Sequence, residues 1–172
     1  MALIKDRKLA LDRWQLLETG ADGAAPSIPA TGDVIVALSV WLESRDELIA
    51  RDGRIGVWLG GDADPADVAR DLKHFGVIAV RFASFTDGRG YSIGRLLRER
   101  YGWGGELRAI GDVQRDQLYY LLRCGFDAFA LRDGENIDTA LAAFNDFTEA
   151  YQAAADRPTP LFRRREIARA PS

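Results

Sequence analysis

Apolar residues along the chain follow two alternating rhythms. Dense, β-branched runs occur at DVIVALS (33–39), RIGVWLG (54–60), VIAVRF (77–82), ELRAIGD (106–112) and FDAFAL (126–131). Each is followed by a segment whose apolar residues recur at helical intervals. The first, VWLESRDELIARDG, repeats Trp41, Leu42, Leu48 and Ile49 at that spacing. The second, DPADVARDLKHFG, opens with Asp64 as a helix cap and Pro65 at the first helical position, and closes at Gly76. The third is YSIGRLLRERYGWG. The fourth, VQRDQLYYLLRCG, closes at Gly125, and the fifth is NIDTALAAFNDFTEAYQAAA.

Strand and helix alternating five times predict an α/β fold of five consecutive βα units on a mainly parallel sheet. Runs such as VIAV, with little alternation, fit strands covered on both faces. Such short units suit an open or half-barrel, TIM-like arrangement, since five of them cannot close an eight-stranded barrel. The alternative is a flavodoxin-like doubly wound sheet. Residues 1–18 read as an N-terminal hairpin around KDRK, and residues 19–32, rich in Gly, Ala and Pro, as a linker. Residues 33–155 then form the α/β domain, and 156–172 a basic, solvated tail with Arg163, Arg164 and Arg165.

Composition narrows the chemistry. With 23 basic and 26 acidic side chains the net charge is -3, which gives no case for nucleic-acid binding. No apolar run reaches the length of a membrane span, and the N-terminal stretch lacks the apolar core of a signal peptide, so a cytoplasmic protein is expected. One cysteine, Cys124, and one histidine, His74, argue against a disulfide, an iron–sulfur cluster or a Cys/His metal site. Both read more simply as structural residues.

Ligands of parallel α/β folds bind beyond the carboxyl ends of the strands. The corresponding loops are GGDADP, ASFTDGRGYS, GDVQRD and RDGEN. DGRGYS has the parts of an anion cradle: Gly88 and Gly90 for close backbone approach, Arg89 as a planar donor fork, and Ser92 or Asp87 to cap the next helix. Arg81 and Arg108 fall inside strands and Arg132 ends one. They can pair with Asp87, Asp112 and Asp127 as structure, or converge with Arg89 on a bound oxyanion. As a catalyst, the site would use Asp87 and Asp112 as acid and base. GRGYSIG is one residue too long for the dinucleotide fingerprint and lies in the wrong unit, so no nucleotide cofactor is expected. Tyr91, Tyr119 and Tyr120 read as core, while Trp41, Trp58 and Trp103 fit core or subunit interface equally, and an open sheet leaves edges that a second copy of the chain could cover.

The block FTDGRGYSIGRLLRERYGWGGELRAIGDVQRDQLYYLLRCGFDAFALR resembles the signature of a bacterial family called domain of unknown function 934. The resemblance runs from about residue 5 to residue 155. Gly94 stands where the family has alanine, and Gln114 where it has leucine. Members carry an oxidoreductase label tied to sulfite reduction, because their genes lie beside that of assimilatory sulfite reductase. The missing redox ligands do not suit an independent reductase. Label and residues together imply an accessory protein acting with the sulfite reductase hemoprotein. A small enzyme or sensor for an anionic metabolite, and a structural or oligomerisation module, are the other readings.

Overall fold

The computed structural model describes residues 2–18, 20 and 26–169. Thr19 and residues 21–25 of the expected linker, and residues 170–172 of the expected tail, lie outside that set.

Eight strands form one curled, half-barrel sheet: β1 (Leu3–Lys5), β2 (Lys8–Ala10), β3 (Gln15–Leu16), β4 (Val34–Ala37), β5 (Ile55–Leu59), β6 (Phe75–Phe82), β7 (Glu106–Gly111) and β8 (Ala128–Ala130). Their order is β2-β1-β8-β7-β6-β5-β4-β3. From β3 to β8 all neighbours are parallel, whereas β1 runs antiparallel to both β2 and β8. The parallel strands follow one another without reversal, so there is no switch point and the doubly wound alternative is excluded.

The helices are α1 (Leu38–Ala50), α2 (Ala66–Ala69), α3 (Arg89–Glu99), α4 (Leu118–Arg123), α5 (Ile137–Ala143) and α6 (Leu161–Arg169). Several boundaries differ from the sequence expectation. The buried face of α1 centres on Trp41 and Leu48; Leu42 and Ile49, each about 100° further round the helix, remain exposed. Asp64 does cap the second helical segment, its carboxylate accepting from the Ala66 amide at 2.9 Å. That segment splits into α2 and a 3₁₀ turn over Leu72–His74, and Gly76 sits inside β6 rather than ending a helix. Gly125 does follow the last turn of α4, at φ 96°.

The fifth helix stops early: Phe144 turns into the core, and Asp146 is engaged by Arg115 at 2.7 Å, as short polar side chains compete with helix continuation. Residues 161–169, expected as loose tail, are helical, with Arg164 held by Glu149 at 2.8 Å. No helix among the described residues is long and apolar enough to cross a membrane.

Strand pleating divides the core. Ile78, Val80 and Phe82 of β6 and Leu107 and Ala109 of β7 meet the helices in the main core, which also takes Trp41 and Trp103. Val77, Ala79, Ile110, Ala128 and Ala130 point the other way. Trp14, Leu16 and Trp58 pack over that second face. Residues of the first eighteen thus supply strands at both edges of the sheet and the cover between them. Each fully buried Leu, Ile or Phe contributes about 1.5–3 kcal/mol, so both faces stabilise the sheet. The described part of the 19–32 segment is tied down too, with Pro29 and Gly32 carbonyls accepting from Arg51.

Candidate functional site

The carboxyl ends of β5 to β8 carry the loops singled out above, and side-chain bonds lace them together. Asp87 follows β6, and its carboxylate takes the Nε and Nη2 groups of Arg89 at 2.9 and 2.8 Å. The same carboxylate accepts the Arg89 backbone amide at 3.2 Å, so Asp87 closes the start of α3 and Ser92 makes no capping bond. The Arg89 guanidinium and amide together hold the Asp87 carboxyl down at a pKa of about 2. Gly61, beyond β5, stands against this pair: a methyl group there would lie 3.0 Å from the Asp87 carboxylate.

Asp112, beyond β7, is the second joint. Its oxygens accept from the Gln114 side-chain amide at 3.0 Å, the Phe85 backbone amide at 2.9 Å and Arg132 at 3.2 Å. Those donors, Gln114 foremost, lower its pKa against some desolvation. Arg132 is shared with Glu135, 3.0 Å from its Nε. Gly111 allows this arrangement: its φ is 94°, and any side chain there would strike the Phe82 carbonyl.

Four of the anticipated residues, Asp87, Arg89, Asp112 and Arg132, therefore share the strand-end rim, each arginine already neutralised by a neighbouring carboxylate. The two glycines differ in their surroundings. Gly88 adopts ordinary helical dihedrals with open space around it. Gly90 is the seat of the Phe82 ring, 2.7 Å from where its methyl group would be, so it lets α3 approach β6. Space for packing, not approach to a ligand, requires glycine there.

Arg108 does not join the rim. The pleat of β7 turns it to the face away from the helices, near the amino ends of the strands. There it is 3% exposed and bonded to Glu106 at 2.7 Å and Asp12 at 2.8 Å. Arg81 occupies the same face, over the Trp58 ring at 4.3 Å and paired with Glu18. Asp127 is the partner of Arg98, not of a strand arginine. Only Arg132 with Asp112 matches an expected ion pair.

Sequence reasoning missed Phe85 and Gln114. Phe85 is 47% exposed in the middle of the rim. Tyr120, 58% exposed, meets the ring of Tyr91 in the first turn of α3 at 4.9 Å, tilted by 58°. An aromatic in a polar loop, FTDG, was the available signal for Phe85. Gln114 supplies a side-chain bond to Asp112 across the same loop. Cys124 is buried, and burial pushes its thiol up, which suits a packing role.

The rim thus consists of strand-end loops joined by the pairs Asp87–Arg89, Asp112–Arg132 and Arg132–Glu135. Residues 56–162 match the family model described as bacterial protein of unknown function, DUF934. The chain belongs to that family. No curated protein matches it.

Proposed function

We propose that this protein is an accessory factor of assimilatory sulfite reduction that docks its strand-end rim on the sulfite reductase hemoprotein. One observation carries the choice of docking over small-anion capture. The arginine forks at the rim are filled by Asp87, Asp112 and Glu135, while Phe85 and Tyr120 stand out among them. Exposed aromatics ringed by polar groups are the usual anchors of protein recognition. A sulfur oxyanion seeking the Nε–Nη2 edge of Arg89 would have to displace the Asp87 carboxylate that already occupies it, and would then sit beside that charge. The link to sulfite reduction rests on the family resemblance, whose members' genes adjoin that of the reductase.

The test is capture of the hemoprotein by the tagged protein from cells grown on sulfate. Retention by the wild type, with loss in the paired variant Phe85→Ser, Tyr120→Ala, is the expected result. Equal retention by the variant removes the rim from the reading. Normal growth of a deletion strain on sulfate as sole sulfur source removes the pathway. A saturable thermal shift with sulfite that Arg89→Ala abolishes would replace docking by anion capture.

A further inference from the structure

Guanidinium and ammonium groups do converge on one cavity of this fold, but at the end of the sheet opposite the rim. A cleft of about 250 Å³ opens where the N-terminal hairpin meets the amino ends of β5, β6 and β7. Lys5, Arg13, Arg54 and Arg108 line it, with Glu106 the one acidic side chain in its wall. Trp14, Leu3 and Leu11 supply the apolar part.

Most of this charge is spoken for. Lys5 donates to Glu106 at 2.7 Å, Arg108 to Glu106 and Asp12, and Arg54 to Asp33. Arg54 also lies 4.8 Å over the Trp14 ring, which fixes that wall of the cleft. Glu106, Asp12 and Asp33 hold Lys5, Arg108 and Arg54. Arg13 has no ion-pair or hydrogen-bond partner among the described residues, although it lies next to Asp12. Arg108, which lines the same cleft, is 3% exposed and held by Glu106 and Asp12, so it fixes the wall, and Arg13 is the cation left to meet a guest.

We propose that this cleft binds a small oxyanion, with Arg13 as the donor that closes on it and the Lys5–Glu106–Arg108–Asp12 network, anchored by the buried Glu106–Arg108 pair, as its fixed wall. The cleft's volume is below the roughly 300–1,000 Å³ of sites for drug-sized ligands, so the guest is a few atoms across. Carboxylate and tetrahedral oxyanions share the chemistry that a guanidinium fork recognises. The apolar wall of Leu3, Leu11 and Trp14 favours a carboxylate with a short aliphatic tail over a bare tetrahedral ion. This site is independent of the docking rim, and its test leaves that rim untouched.

The experiment is titration of the wild-type protein with propionate, sulfite and inorganic phosphate at constant ionic strength, set by sodium chloride. Melting temperature and the Trp14 indole Nε1–H resonance, assigned with Trp14→Phe, are followed together. A saturable change in both, with a dissociation constant of about 1 mM and strongest for propionate, is expected. Arg13→Ala should weaken it at least about tenfold, whereas Arg89→Ala should not alter it. A tetrahedral ion binding more tightly than propionate overturns the assignment of the apolar wall. No saturable change with any of the three, or undiminished binding in Arg13→Ala, overturns the site; Arg13 is exposed and unpartnered, so this variant folds.

Discussion

Gly94 of α3 lies directly against the ring of Phe126: a methyl group built on it would meet Cε2 at 2.3 Å. Alanine there would favour the helix by about 1 kcal/mol. Overpacking of a filled core costs about 1–3 kcal/mol. Gly94→Ala should therefore lower stability in urea denaturation by about 1 kcal/mol, and Gly94→Ala with Phe126→Leu should recover much of it. A gain in stability for the single variant would contradict this packing.

The hairpin turn between β1 and β2 has two residues with positive φ, Asp6 at 50° and Arg7 at 60°. The pair suits the mirror-image turn that matches strand twist, at which glycine follows aspartate most readily. An exposed arginine in that region costs about 1–2 kcal/mol, partly offset in glycine by unfolded-chain entropy. Arg7→Gly should raise the unfolding free energy by about 0.5–1 kcal/mol, measured by chemical denaturation.

The Asp87 carboxyl, with its pKa near 2 against an ordinary 3.8, binds its proton less readily in the folded chain than in the unfolded one. Its contribution to stability is complete above about pH 4 and is lost as the pH falls through about 2. Carbon-detected titration should find the Asp87 carboxyl near 2 in the wild type and closer to 3.8 in Arg89→Ala. An unchanged midpoint in the variant would mean that the guanidinium does not set it.

Glu106 holds two cations, Lys5 and the nearly inaccessible Arg108. Removing one member of a buried ion pair costs about 3–5 kcal/mol, because the other charge is left without compensation. Asp12 would still hold Arg108 and Lys5 reaches water, so Glu106→Ala should destabilise the protein by less, about 1–3 kcal/mol. Glu106→Ala with Arg108→Met should be markedly less affected than the single variant. Equal losses in the two would show that shape rather than charge matters at this position.

Local pattern carried the repeating elements, because strand and helix periods differ and parallel strands are apolar throughout. VIAV and VIVA needed nothing beyond their neighbours to become β6 and β4. The short α5 was less legible, since its end depends on Arg115 reaching Asp146 from another loop. The fate of the strand arginines was hidden for the same reason. Which face Arg108 takes follows from pleating, but its partner Asp12 comes from a segment distant in the chain. Asp87 and Arg89, two residues apart, found each other locally, as did Asp112 and Gln114. Gly90 read as room for close backbone approach and Gly94 only as a departure from an expected alanine, and the rings of Phe82 and Phe126 reveal both as sockets.

The pairing of β1 with β8, Leu3 opposite Ala130, has a consequence for how the chain assembles. Leu3 leaves the ribosome long before Ala130, so the hairpin must wait, its inner edge without a mate, while the parallel strands are being made. Contacts of such sequence separation are slow to form and leave open edges during synthesis. The basic, charged turn KDRK at the tip of the waiting hairpin is well suited to keep that nascent edge from pairing with the wrong neighbour.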